Sequence, residues 1–336
     1  MNFNRKELVD VLEKLEPAIA KKDVLVLAQS FVFRGNTICA CNDEIYIQCL
    51  LQNDLTGAVK AQEFLGLLAK TSSSDVELEV KDNELKIKTK SSRAGIVFDP
   101  ELIPPLDIIK PTKDWKRLPE DFLEAVSFCQ FTTVNDVTKP FLSMVRVHKN
   151  RAMSSDGYRA TWRKMGGEID DELLIRSGIV LELVNHKPIR YFVDDSWVHF
   201  ANADKDIFSY RLVDCEYPDL AKFFKVTGTP IELKEGLLDI IEKAKLFTKS
   251  EFKTDLQVWV KLTDGELIVE SNGEHGWFKQ RTKIGYKGEP VTFSVQPDFL
   301  RDMLAIMTEC ELAEDRLKIS GNGFGHIVCV QRENKE

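Results

Sequence analysis

RAMSSDGYRATWRK, residues 151–164, reads as two strands joined by a tight polar turn, and the same phrase occurs twice more in the chain. ICACNDEIYIQ fills 38–48 and ELIVESNGEHGWFKQR fills 266–281. With Asp43, Asp156 and Asn272 as turn centres, the copies stand 113 and 116 residues apart, one third of the chain. Asp, Asn, Ser and Gly belong in such turns because the polar side chains hydrogen-bond the backbone just ahead and glycine accepts a left-handed conformation. Each copy is followed by an apolar-periodic helix and a second alternating strand pair, so the repeating unit is a domain and not a turn. The pattern predicts an α+β chain of three similar domains.

The rest of the composition fits that division. The chain has 336 residues, more than one core usually serves, and three units of ~110 residues fall in the common domain range. Apolar residues at 43% and charged residues at 30% describe an ordinary globular protein, not a disordered one. The longest apolar run, LLIRSGIVLELV, is broken by Arg176, and the charged start MNFNRKELVDVLEKLE lacks a signal-peptide core; a cytoplasmic protein without membrane spans is expected. Seven cysteines and five scattered histidines form no metal-ligand spacing. They predict buried, reduced thiols, no metal and no cofactor.

Reading outward, Leu8, Val11, Leu12, Leu15 and Ile19 mark one face of a first helix, and strands are expected near 24–33, 37–41 and 45–50. A helix over 61–70 precedes VELEVKDNELKIKTK, with Asp82-Asn83 as its hairpin turn. The proline-rich DPELIPPLDIIKPTKDW is the first connector, and EYPDLAKFFKVTGTP the second. Between them lie a helix on LPEDFLEAVSF, another near 172–185 and a strand hairpin; the last third repeats helix, strands, helix, strands. The domain limits read as 1–112, 113–228 and 229–336.

SSDGYRATWRK at 154–164 resembles the ATDGHRLA-type turn in the middle domain of the bacterial sliding clamp, the beta subunit of DNA polymerase III. SYRLVDCEYPDL resembles that family's segment ending in FPDY, FVFRGNTICACNDEIYI its first-domain strands, and FSVQPDFLRDMLAIM the second helix of its third domain. The matches are collinear over essentially the whole chain. The resemblance implies the DNA-clamp fold: each domain carries two helices on antiparallel sheet, and one chain forms half of a six-domain ring. It further implies a homodimer that encircles double-stranded DNA without reading sequence, is not an enzyme, and binds polymerase and clamp loader through short peptide motifs. Tyr158 and Ala160 stand where the family's turn usually has His and Leu, and the chain ends in the polar HIVCVQRENKE; both fit a divergent clamp and leave room for a phage-encoded one.

Two candidate sites follow. The resemblance places a partner-peptide pocket at Ser155, Gly157, Tyr158, Arg159 and Ala160 on the turn, Phe223 and Phe224 in the second connector, and Ile327 and Cys329 on the last strand. Candidate phosphate-contacting cations are Arg5, Lys14, Lys21, Lys22, Lys60, Lys70, Arg176, Lys187, Lys243, Lys245, Lys249 and Arg301, with the Lys21-Lys22 pair favoured at a helix end. A net charge of −8 and a pI near 5.4 argue against general nucleic-acid binding, and require any basic attraction to be confined to one surface. The bland reading is that mixed charge is what any solvated helix face shows, since Asp10, Glu13, Asp239 and Glu242 lie among these cations.

Other patterns carry less. GNGFGH at 321–326 lacks the strand-then-helix setting of a phosphate loop and reads as a hairpin turn. Asp156 with Asp170-Asp171 is better explained by turn formation than by acid/base chemistry. The competing readings are a clamp-fold interaction scaffold with no role in replication and, more remotely, a three-domain hydrolase.

Overall fold

The computed structural model describes residues 1–22, 25–103, 115–136, 138–233, 236–248 and 256–333. It divides into two compact units: Met1–Leu123 with Ile169–Leu173 and Gly178–Asp214, and Glu124–Glu168 with Leu174–Ser177 and Cys215–Glu336. The middle third of the sequence contributes to both. The cause is backbone pairing: the strand Ile45–Leu50 pairs with Ile207–Arg211, and Arg159–Arg176 pairs with Phe324–Cys329. The boundary expected at 112/113 lies outside the described residues.

In the first unit twelve described strands form one sheet, running in order from Asn2–Asn4 through the hairpin Asp75–Lys81 and Glu84–Lys88 to Arg190–Val193 and Lys116–Arg117. The Asp82-Asn83 turn has both residues at positive φ, +55° and +58°, as a two-residue hairpin of right-handed twist requires. The helix Arg5–Leu15 starts where Asn4 Oδ1 accepts from the N–H groups of Lys6 and Glu7, and it buries Leu8, Leu12 and Leu15. The helix Ala61–Lys70 buries Phe64 and Leu68, and Phe64 meets Phe33 of the sheet edge-to-face at 6.1 Å.

A polar tie closes the junction inside this unit. Asp206, in the turn before Ile207–Arg211, is buried, yet its carboxylate accepts from Lys14 Nζ at 3.0 Å and from Leu50 N at 3.2 Å. Burial is the largest single influence on the Lys14 ammonium and works against it, but the Asp206 hydrogen bond and the negative charges of Asp206 and Asp204 together outweigh it and raise the lysine above its usual range. Lys14→Ala leaves a buried carboxylate one partner short, and a loss of ~1–2 kcal/mol is expected because the lysine side is half exposed. Urea unfolding checks this: the midpoint falls with the slope unchanged, whereas Lys6→Ala on the same helix shifts it by less than ~0.5 kcal/mol.

The second unit holds a six-stranded and a five-stranded sheet. The helices Leu237–Lys245 and Pro297–Ile306 pack Ile240, Ile241, Ala244, Leu300, Met303 and Leu304 into one core with Val258, Val260, Leu267, Val269 and Phe293 of the strands. The polar C-terminus adds a strand, Gln331–Arg332, beside Phe293–Ser294.

Three local expectations change. The helix placed near 172–185 is Ser177–His186; EIDDELLIR alternates, burying Ile169, Leu173 and Ile175, and so extends the strand Arg159–Arg176. The third turn centre is Glu274-His275, because Asn272 and Gly273 still pair with Trp277 and Gly276. The strand expected from 24 begins at Ser30, after a short 3-10 turn at Leu27–Gln29. GNGFGH is a hairpin turn, with Gly323 at φ +83° joining Arg316–Gly321 to Phe324–Cys329.

Candidate functional site

Asp156 builds the middle-third turn. Its Oδ1 accepts from Tyr158 N and Arg159 N, at 3.0 and 2.9 Å, while Ser155 Oγ donates to Arg159 O and accepts from Gly157 N. Gly157 sits at φ +91°, which disfavours any side chain there although the space around it is open. The first third repeats the device, with Asn42 Oδ1 accepting from Glu44 N and Ile45 N at 2.8 Å. Turn chemistry therefore accounts for Asp156.

From this turn the strand pairs antiparallel with the last third, Ala160 opposite Ile327 and Trp162 opposite Gly325, and Cys329 N donates to Tyr158 O at 2.8 Å. Alternation puts Ala160 and Trp162 on one face with Ile327 and Cys329, while Tyr158, in the turn before the strand, has its ring 6.3 Å from that of Phe299. Ala160 and Ile327 are buried and form a small floor; Tyr158, 48% exposed, and the exposed Cys329 border it. The connector supplies a wall: Phe224 meets Trp162 edge-to-face at 6.4 Å, and Phe223 O accepts from Arg316 at 3.0 Å. An added Cβ at Gly325 would lie 2.4 Å from Trp162 Nε1, so the indole lies over this glycine and closes one end. The result is a small apolar patch bordered by aromatic side chains, the candidate peptide groove.

Arg159 points to the other face. It donates to Asp156 at 2.8 Å, to Asp302 at 2.7 Å and to Phe131 O at 2.8 Å, and stacks on Phe299 at 4.4 Å. With its side chain 10% exposed, it fastens the turn to the helix Pro297–Ile306 behind the groove. Beside it His326 is fully buried, its Nδ1 2.7 Å from Thr161 Oγ1. Burial, reinforced by Arg159, pushes the His326 pKa down to about 3. Trp162 was within reach of the sequence, two residues beyond Ala160 on the same strand. Arg316 was not, because its place depends on the register with Cys329.

The candidate cations separate into two groups. Lys14 pairs with Asp206, Lys245 with Asp298, and Arg301 with Asp298 and Asp302; Lys60 donates to Gln29 and Arg5 to Leu68 O, and Arg176 is half-buried. Lys21, Lys22, Lys70, Lys187 and Lys243 are exposed, with no ion pair to a described residue. Lys249 lies outside the described residues. Lys70, Lys187 and Lys243 sit at helix C-terminal ends, where a cation also complements the helix dipole, whereas Lys21 and Lys22, expected at a helix end, lie six and seven residues beyond the helix Arg5–Leu15 and follow the 3-10 turn Glu16–Ala18. The six described helices carry seven cations against ten anions, so their faces are not a basic surface.

A Ser209–His199–Asp194 chain has the look of a hydrolase triad: His199 Nδ1 lies 2.8 Å from Ser209 Oγ and Nε2 3.1 Å from Asp194. Ser209 and His199 are fully buried, and His199 stacks on Phe192 at 4.3 Å. No substrate reaches that hydroxyl, so the chain of bonds ties strands together. Burial depresses the His199 pKa and keeps the ring neutral. Among the described residues no His, Cys, Asp and Glu cluster could hold a metal, and no helix is long and apolar enough to cross a membrane.

No protein-family model and no curated protein sequence matches the chain. Solved structures do. It superposes on the DNA polymerase III subunit beta from Pseudomonas aeruginosa with a TM-score of 0.85 at 14% identity, covering 99% of this chain and 100% of that one. The beta chain from Streptococcus pneumoniae gives 0.85 at 16% and that from Thermotoga maritima 0.81 at 19%, each over 99% of both chains. At this identity the likeness speaks for the fold, and along its full length the chain has the fold of the DNA polymerase III beta sliding clamp.

Proposed function

We propose that the protein is a sliding clamp: a non-catalytic processivity factor that encircles double-stranded DNA and tethers a replicative polymerase to its template in the cytoplasm. The observation that carries this reading is the superposition on beta clamps, which covers 99% of this chain and 99–100% of theirs. Residues 1–112, 113–228 and 229–336 act as three domains, and two chains close head to tail into a six-domain ring. Polymerase and loader dock by short peptides in the groove of Tyr158, Ala160, Ile327, Cys329, Phe223 and Phe224, which the Ser155–Gly157 turn and Arg159 hold in shape.

Exposed apolar residues support the closure. Among the described residues Val97, Leu246 and Trp277 are the most exposed large hydrophobics, at 77, 73 and 70%. Val97 lies on Arg93–Asp99, which meets Thr56–Lys60 only at Phe98 and Asp99 and so leaves one edge from Arg93 to Val97 without a described partner. Trp277 lies on Gly276–Lys283, the edge strand of the five-stranded sheet, and Leu246 precedes Phe247, which stacks on Phe278 of that strand at 6.2 Å. Unpaired edges carrying bare apolar side chains call for a cover, and a second copy supplies both.

Because the helix faces are acid-rich, attraction to DNA rests on the exposed lysines beyond them, Lys21 and Lys22 included. Lys21→Glu with Lys22→Glu is expected to weaken DNA retention about tenfold or more at low salt and to reduce the salt slope, without lowering the unfolding midpoint. An unchanged salt slope would remove the pair from the DNA-facing surface.

A further inference from the structure

The aromatic groove carries uncompensated cations on its lips. The Arg151 guanidinium lies 4.7 Å over the Trp162 ring, and Lys222 Nζ lies 5.1 Å over Phe223. Both side chains are exposed, and neither has an ion pair to a described residue. Arg316 also approaches Phe223, at 5.9 Å, but Asp315 neutralises it through two bonds. An unpaired cation held over an aromatic face keeps its N–H donors free and has its position restricted by the ring beneath. Two of them flank a floor, Ala160 and Ile327, that has no charge of its own.

Resting on the reading of this groove as a peptide site, we propose that its occupant is an acidic peptide: apolar anchors fill the space above Ala160 and Ile327, and flanking Asp or Glu carboxylates pair with Arg151 and Lys222. The apolar floor supplies affinity. The two cations select among peptides that share the same anchors, because a neutral flank would leave them without partners while an acidic one gains charge-assisted bonds at both lips. In a chain of net charge −8, such a local basic rim also steers an acidic segment toward the groove.

The test uses two acetylated, amidated hexapeptides with the same leucine and phenylalanine anchors, one flanked by two Asp and the other by two Asn. Binding is followed by fluorescence anisotropy on the full-length protein, with circular dichroism confirming the fold of each variant. The acidic peptide is expected to bind about tenfold tighter at low salt, the ratio that two exposed charge pairs give, and Arg151→Ala with Lys222→Ala should abolish the difference while leaving the neutral peptide unchanged. Equal affinities, or a preference that survives the double substitution, would overturn the proposal while the groove reading stands. Failure of both peptides, with the protein folded, would overturn the groove reading as well.

Discussion

Trp277→Glu is expected to convert the proposed dimer to monomers. Covering an indole removes ~150–250 Å² from water, and a buried aromatic at an interface commonly accounts for about 3 kcal/mol of binding. Putting an unpaired carboxylate in its place adds a desolvation penalty to the lost contact. The dimer should therefore weaken more than about a hundredfold at each contact, and a closed ring has two of them. Light scattering at micromolar protein and moderate salt should give the mass of two chains for the native protein and of one for the variant. Leu181→Glu, at an exposed apolar residue on the helix Ser177–His186, should leave the mass unchanged. A native protein that runs as one chain would remove the ring.

Acid should loosen the fold through His326. The ring is buried with Thr161 as its hydrogen-bond partner, Arg159 disfavours its protonation and Asp302 opposes that effect less strongly, which leaves a folded-state pKa of about 3. The unfolded chain binds the proton near the ordinary value of ~6.5. Stability from the neutral ring is thus fully present above pH ~6.5 and is lost as the pH falls toward 3. By pH 4.5 the loss reaches ~2.7 kcal/mol from this residue alone. Burial depresses His186 and His199 in the same direction, so His326→Asn should flatten the fall between pH 6.5 and 4.5 without abolishing it. Parallel urea-midpoint curves for the native protein and the variant would assign the acid sensitivity elsewhere.

Most of the architecture could be read from local chemistry. The helix expected over 61–70 is Ala61–Lys70, because an apolar stripe at Phe64 and Leu68 with no strand alternation admits one reading. Asp82-Asn83 named a hairpin through its turn type. Where two periodicities competed, the longer-range arrangement decided: Glu172–Arg176 had helix-forming residues, but the ladder of the long strand held them extended. The third turn was misplaced by two residues since Ser, Asn and Gly suit a strand end as readily as a turn. Ion pairing was hidden from the sequence altogether. Nothing local distinguishes Lys14, which closes a junction 192 residues away in sequence, from Lys21, which is exposed.

The same point applies to the groove. Tyr158, Ala160, Ile327 and Cys329 could be placed through one turn and one strand, while the cation on each lip depends on packing against Trp162 and Phe223. Arg159 looked available and proves to be committed to Asp156 and Asp302. The buried Ser209–His199–Asp194 chain shows the converse: spacing on paired strands assembled a triad-like geometry that no sequence motif announced, and its burial deprives it of a substrate.

Retention on closed circular DNA tests the central claim most directly. Protein is assembled on nicked circular duplex with a bacterial clamp loader, separated from free protein by gel filtration in moderate salt, and the DNA is then linearised with a single-cutting nuclease. A ring tethered by topology stays with the circle and is lost within minutes of cutting, and Trp277→Glu never co-elutes. Equal retention on circle and linear DNA, or none on either while the loader's own clamp is retained, would contradict the account.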